Sequence, residues 1–254
     1  MTLITVRELH KTFGPAVAVD SVTFTVETGE IFGILGPNGA GKTTTVECIS
    51  GMLDADSGSL SVLGRHPFRE GYSLRSQVGY QMQSSTLPAQ LRVGEALHLF
   101  ASFYPNPASI PELLGTVGLV HRRKTAFSAL SGGERQRLSI ALALIGNPRI
   151  AILDELTTGL DPQGRRDIWN LVERIRESGI TVLLVSHFLD EVERLCDRLA
   201  VITAGRSVFI GTPDNMIARA AERNPEITGL EDAYLAIVDS AACLTGTETE
   251  GAQS

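Results

Sequence analysis

The feature that most constrains this chain is the octapeptide Gly36-Pro37-Asn38-Gly39-Ala40-Gly41-Lys42-Thr43, followed by Thr44 and Thr45 and preceded by the apolar run Ile31 to Leu35. It fits G-x-x-x-x-G-K-[ST], a loop whose glycines let backbone N–H groups converge on phosphate oxygens. In such a loop Lys42 reaches the outer phosphates and Thr43 offers a hydroxyl to Mg²⁺. The loop works only between a strand and a helix. Ile31 to Leu35 reads as the strand, and Thr43 to Met52 as a helix stopped near Gly51, its N-terminal dipole directed at the anion. A glycine-rich turn before an ordinary helix is the plainer alternative, and the flanking strand and helix argue against it. A dinucleotide fingerprint fits worse, because Thr44 stands where G-x-G-x-x-G needs a third glycine after Gly39 and Gly41. The expected ligand is a nucleoside triphosphate.

The chain has 254 residues, enough to bury a full α/β core. A net charge of −7 argues against broad electrostatic binding of nucleic acid, and the triplet Arg122-Arg123-Lys124 reads as a solvated turn. Cys48, Cys196 and Cys243 are scattered, with no spacing suited to zinc or redox work, and read as inert thiols in a reducing compartment. The N-terminus lacks a charged-then-apolar signal pattern, and no run approaches bilayer length, so a soluble chain is expected.

Alternation marks strands at Leu3 to Leu9 and Val17 to Val26, joined by a turn from His10 to Pro15 in which Phe13 reads as a loop aromatic folded onto the core. Further strands are expected at Ser59 to Leu63 and at Gln77 to Gln81, the latter running into Gln83. From Leu91 the periodicity becomes helical, and Pro105, Pro107 and Pro111 divide two helices within a mostly helical insertion. Ser131 and Glu134 in LSGGE have capping-box spacing ahead of an amphipathic helix that ends at Gly146, Asn147 and Pro148. A cap does not explain Gly132 and Gly133, which weaken a helix but permit close approach to its anion-binding N-terminus.

Ile150 to Glu155 is an apolar run of the kind buried in a parallel sheet, and it ends in two carboxylates at the edge where such sheets bind ligands. Asp154 suits the aspartate that holds Mg²⁺, leaving Glu155 to face the attacking water. Asp161-Pro162 starts another helix, and the apolar run Ile180 to Val185 delivers Ser186 and His187 to the same sheet edge. A lone histidine is more often structural; arriving beside Asp154 and Glu155 makes it a site candidate. A helix from Leu189 to about Asp197 and strands at Leu199 to Thr203 and Ser207 to Ile210 complete the core. The polar stretch Thr245 to Ser254 reads as disordered.

In this order, the phosphate loop, LSGGE, LDE, GLD and final histidine closely resemble the ATP-binding subunits of ABC transporters, over residues 3 to 240. The resemblance implies an α/β phosphate-loop NTPase of the ABC ATPase type, with an antiparallel β region and a mostly helical insertion subdomain. Residues 1–83 and 149–213 would form the ATP-binding core, 84–148 the helical subdomain with the signature, and 214–254 a C-terminal extension. It further implies that Phe13 stacks on adenine, that the loop from Gly36 through Pro37, Asn38, Gly39, Ala40, Gly41, Lys42 and Thr43 to Thr44 holds ATP, and that Thr43, Gln83 and Asp154 hold Mg²⁺. Glu155 resembles the catalytic base, His187 the γ-phosphate switch, and Asp161 an aspartate that communicates across a dimer. Ser131, Gly132, Gly133 and Glu134 would contact ATP held by another subunit. Gln83 would link the Mg²⁺ site to the helical insertion and the membrane partner.

The implied assembly is a homodimer, or a heterodimer with a related ATPase, peripheral on the cytoplasmic face of the membrane and driving a separate transmembrane permease. Leu183 to Pro213 and Leu230 to Leu235 are similar to the exporter branch that includes daunorubicin-resistance and sodium-efflux ATPases, which implies export of a drug, lipid or other small molecule. Two positions depart from the family pattern: Leu156 replaces the usual proline after the acidic pair, and Glu134 the commoner glutamine. An importer ATPase and a soluble ABC-type ATPase acting on a macromolecule remain alternatives. The latter commonly carries two nucleotide domains or an inserted module, and neither is visible here. A kinase or GTPase has no use for LSGGE, and no N-K-x-D motif is present.

Overall fold

Alternation at the N-terminus produces two long antiparallel strands, β1 (Thr2–Phe13) and β2 (Ala16–Glu27), in the computed structural model, which describes residues 1–81 and 87–246. The turn between them is tighter than expected. Lys11, Thr12 and Phe13 pair with Val19, Val17 and Ala16, which confines the turn to Gly14, with φ of 59°, and Pro15. Strand β3 (Ile31–Leu35) enters the phosphate loop, α1 (Lys42–Ile49) leaves it, and β4 (Ser57–Val62) returns to pair with β1. A single helical turn, α2 (Gly71–Leu74), precedes β5 (Val78–Gln81). Gln83 lies outside the described residues.

The insertion consists of α3 (Val93–Ala101), α4 (Ile110–Thr116) and two 3₁₀ turns at 120–122 and 127–129, followed by α5 (Gly132–Leu144). Beyond it come β6 (Ile150–Asp154), α6 (Pro162–Glu177), β7 (Thr181–Ser186), α7 (Leu189–Leu195), and the hairpin β8 (Arg198–Thr203) and β9 (Arg206–Gly211). Two helices not foreseen in the sequence follow, α8 (Pro213–Ala221) and α9 (Leu230–Gly246). Thr212 caps α8 by accepting from the Asn215 N–H at 3.1 Å, with proline at the first helical position, the same device that starts α6 at Asp161-Pro162. Helix α9 carries Thr245 and Gly246, which the sequence reading placed in the disordered stretch; residues 247–254 lie outside the described residues.

Among the described residues nine strands form one sheet in the order β4-β1-β2-β9-β8-β3-β7-β6-β5. Strands β8, β3, β7, β6 and β5 are mutually parallel, whereas β1, β2 and β4 are antiparallel. The central strands are covered on both faces, and their period-two alternation divides the core. Phe32, Ile34, Ile150, Ile152, Leu183 and Val185 pack towards β1, β2, β4 and α1. Ile31, Leu35, Ala151, Leu153, Val182 and Leu184 pack towards the helical side, sharing one cluster with Val93, Leu97, Leu113 and Leu138 of α3, α4 and α5.

Gly36 marks where β3 must pass close to β8. A Cβ there would lie 2.1 Å from the Ile202 carbonyl oxygen, backbone that cannot swing aside. Gly36→Ala is therefore expected to destabilise the fold by about 2 kcal/mol or more. Gly115 lies inside α4 with open space around it. Its change to Ala is expected to raise stability by up to ~1 kcal/mol. Urea unfolding of the two variants checks the pair, and an unperturbed Gly36→Ala protein would contradict the close approach.

Candidate nucleotide site

Parallel pairing brings the candidate residues together. Leu35 lies opposite Ser186, and Asp154 opposite Val185, so the ends of β3, β6 and β7 open at one edge of the sheet. There Phe13, Asn38, Gly39, Gly41, Lys42, Thr43, Thr44, Asp154, Glu155 and His187 line a cleft of about 690 Å³. Ala18 and Thr158 line it too and were not anticipated. Neither carries a charge or a motif that would single it out.

The loop's shape comes from its glycines and its lysine. Gly39 and Gly41 adopt φ of 77° and 98°, left-handed values that an L side chain resists. Lys42, only 6% exposed, donates from Nζ to the carbonyls of Gly36 at 2.8 Å and Pro37 at 3.0 Å, bracing the turn from inside. Burial lowers the Lys42 ammonium pKa, and the nearby charges of Glu155 and Asp154 partly oppose that shift. Gly36, Pro37 and Ala40 build the loop without lining the cleft: the Ala40 N–H donates to Pro37 O at 3.2 Å, and Ala40 O accepts from the Gly205 N–H at 3.0 Å. Phe13 is half-exposed at the cleft rim, with the Lys11 ammonium 5.9 Å from its ring centre.

Asp154 is 3% exposed. Burial, and then the neighbouring Glu155 charge, push its carboxyl pKa up to about 6, while Lys42 and a hydrogen bond from Tyr80 pull the other way. The Tyr80 hydroxyl pKa is raised in turn, first by burial and then by Asp154. The Asp154 N–H donates to Gln81 Oε1 at 3.0 Å, which ties the ends of β6 and β5 together. Glu155 lies just past the strand with φ of 49°, its N–H donating to Val185 O at 2.9 Å. Its Oε1 is 3.3 Å from His187 Nδ1. Leu156, the departure from the expected proline, is fully buried in the helical-side core, and the loop still presents Glu155 to His187.

Asp154 and Thr43 supply hard oxygen donors facing the same space, which fits a Mg²⁺ ion that completes its shell with phosphate oxygens and water. Among the described residues no group of three or more His, Cys, Asp or Glu side chains forms a self-sufficient metal site.

The signature residues and Asp161 stand apart from this cleft. Ser131 caps α5: its Oγ accepts from the Glu134 N–H at 3.3 Å, while the Ser131 N–H donates to Glu134 Oε2 at 2.9 Å. Arg122, read from the sequence as part of a solvated turn, donates from Nε to Glu134 Oε1 at 2.7 Å. The Ser131 backbone, assisted by Arg122, lowers the Glu134 carboxyl pKa. Gly132 and Gly133 face outward, with nothing within 4 Å of a Cβ placed at Gly133. Asp161 accepts from the Gly164 N–H at 2.7 Å as the cap of α6. In a single chain, none of these five residues lines the cleft.

The raised Asp154 pKa has a stability consequence. Its folded value of about 6 exceeds the ordinary aspartate value of 3.8, so its contribution to stability is full below pH 4 and is lost as pH rises through 6. Without divalent cation, Asp154→Asn is expected to be more stable than the parent at pH 7.5 by about 1–3 kcal/mol, the gap closing towards pH 4. Melting curves in a chelator at both pH values check this, and a variant that melts lower than the parent at pH 7.5 would contradict it.

Comparison with known proteins bears on what this cleft serves. Residues 19–158 match the family model described as ABC transporter. The chain is 40% identical over 220 residues to the Nod factor export ATP-binding protein I of Ralstonia nicotianae, covering 85% of this chain and 68% of that protein. It is 34% identical over 248 residues to the linearmycin resistance ATP-binding protein LnrL of Bacillus subtilis, covering 94% and 80%. Among solved structures, an ATP binding subunit of an ABC transporter superposes with a TM-score of 0.82 at 28% identity, covering 92% of this chain and 99% of that one. The ADP conformation of another ATP-binding cassette superposes with a TM-score of 0.76 at 26% identity, covering 92% and 99%. The fold, the residues of the cleft and these likenesses agree: the chain belongs to the ABC transporter family, as one of its ATP-hydrolysing subunits.

Proposed function

We propose that two copies of this chain, or one copy and a related ATPase, close around ATP and Mg²⁺ and thereby drive a separate transmembrane permease in export. The observation that carries this reading is the division of the site. The cleft holds Lys42, Thr43, Asp154, Glu155 and His187, while Ser131, Gly132 and Gly133 lie outside it, with open space at Gly133. A second copy related by a two-fold axis supplies its signature to the first copy's cleft and receives the first copy's signature in return.

The roles follow from chemistry at each position. Phe13 offers a half-exposed ring for adenine, and the loop from Gly36 to Thr44 with the Lys42 ammonium neutralises phosphate charge. Thr43 and Asp154 hold Mg²⁺, with Gln83 assigned to the same ion by resemblance; the ion supplies charge stabilisation on the outer phosphates. Glu155 orients a water and takes its proton, and His187, 3.3 Å away, fixes the Glu155 carboxylate and reaches towards the γ-phosphate. Asp161 and the caps Ser131 and Glu134 form the facing edge of the partner copy. Residues 1–83 and 149–213 act as the ATP-binding core, and 84–148 as the moving helical part.

Export is supported by the relatives named for Nod factor export and linearmycin resistance, and the transported molecule is assigned only as a drug, lipid or other small molecule. Among the described residues no helix is long and apolar enough to cross a membrane. Leu99, Phe103 and Val120 are exposed on the helical insertion, an apolar surface suited to a membrane protein's cytoplasmic helix. The chain is thus assigned to the cytoplasmic face of the membrane, peripherally.

Glu155→Gln keeps the side-chain size and removes the base. Steady-state ATP hydrolysis should fall by about 10²-fold or more while ATP still binds, and an ATP-bound dimer should persist. Phosphate release and dimer mass on size exclusion check this. Turnover within twofold of the parent would place the base elsewhere.

A further inference from the structure

Glu191, in the first turn of α7, is completely buried, an environment in which a carboxyl is costly unless it does something in return. Its surroundings are specific. Oε1 accepts from the Trp169 indole Nε1 of α6 at 3.2 Å. The hydroxyls of Ser186 and Thr157 also lie against the carboxyl and favour its ionised form, although burial outweighs them and holds the pKa up. Yet Glu191 Oε2 and Thr157 Oγ1 are both buried without a hydrogen bond of normal geometry, so the cluster is not arranged for maximal stability.

The positions of these partners in the chain give the cluster its meaning. Thr157 follows Glu155 by two residues, across the fully buried Leu156. Ser186 is the last residue of β7 and immediately precedes His187, and its Oγ also accepts from the Phe188 N–H at 3.0 Å on the far side of that histidine. One carboxyl therefore lies beside the turn that carries Glu155 and the turn that carries His187, and is itself held by Trp169 on α6. The separation that it spans from behind is the 3.3 Å contact between Glu155 and His187 at the cleft.

We propose that Glu191 is a positioning residue for hydrolysis, a buried strut that sets the distance between Glu155 and His187 through Thr157 and Ser186. The proposal rests on the reading of Glu155 as the base. A hydrophobic side chain of similar length would fill the same space without the cost of burying a carboxyl, and would leave the two turns joined by backbone pairing and the Glu155–His187 contact alone.

The test compares Glu191→Met with Glu191→Gln in the full chain, measuring ATP affinity, steady-state hydrolysis and thermal unfolding. Glu191→Met should melt at or above the parent temperature and bind ATP within about twofold, while kcat falls about tenfold or more. Glu191→Gln, which keeps the shape, the acceptor for Trp169 and a polar head beside the two hydroxyls, should restore kcat to within about threefold of the parent. A Met variant with kcat within twofold of the parent, or a Gln variant no better than Met, would overturn the proposal. Should the Met variant not fold, Trp169→Phe and Thr157→Val replace it. Each removes one contact and keeps the shape, and each should lower kcat without changing ATP affinity; normal kcat in both overturns the proposal. If Glu155→Gln turns over normally, the assignment of the base fails. If that variant is dead while Glu191→Met is fully active, the strut alone fails.

Discussion

The structure depends on in-register parallel pairing of three short apolar strands. Leu35 pairs with Ser186 and Asp154 pairs with Val185, and these pairs, buried on both faces, place three chain reversals side by side at one sheet edge. A slip of one residue would turn Phe32, Ile152 and Leu183 to the wrong core and move Asp154 and His187 to different levels. Fold and site are thus set by the same register. Gly36 completes the arrangement, since any side chain there would strike the Ile202 carbonyl and push the phosphate loop away from its neighbours.

The electrostatics show where the fold yields stability for chemistry. Lys42 and Asp154 are nearly fully buried, and each has its charged form disfavoured by burial, Lys42 downwards and Asp154 upwards in pKa. Each charge partly supports the other, while Glu155 adds a second negative charge that opposes ionisation of Asp154. Such a site favours a ligand that brings both a cation and phosphates, because the pair answers both imbalances at once. Glu191 repeats the pattern behind the cleft, a buried carboxyl held for its contacts rather than for its stability.

Much of this was legible before the structure, because the strongest signals were local. The phosphate loop, the run Ile150 to Asp154, the cap at Ser131 and the Asp161-Pro162 start each declare themselves within a few residues. What escaped was long-range or weakly marked. Phe13 was read into a turn because nothing nearby shows that β1 pairs through to Ala16. Arg122 became a partner of Glu134 across twelve residues, and Tyr80 a donor to Asp154 across seventy-four, contacts that only the fold creates. Helix α8 carried a Thr-Pro start of the same kind as α6 and was legible in principle. Leu156 raised the question of a displaced loop, and burial of its side chain leaves Glu155 against His187.

The central claim is that one chain carries half of each site and a second copy carries the other half. The direct measurement is ATP hydrolysis by mixtures of Lys42→Ala and Gly133→Asp chains, where the open space at Gly133 lets an aspartate be accommodated without disturbing the fold. Each variant alone should be inactive. In a mixed dimer both defects fall on one site and leave the other whole, so random assortment of equal amounts should return about a quarter of the parent rate. No recovery on mixing, with both variants folded and mixed dimers detected, would contradict the account.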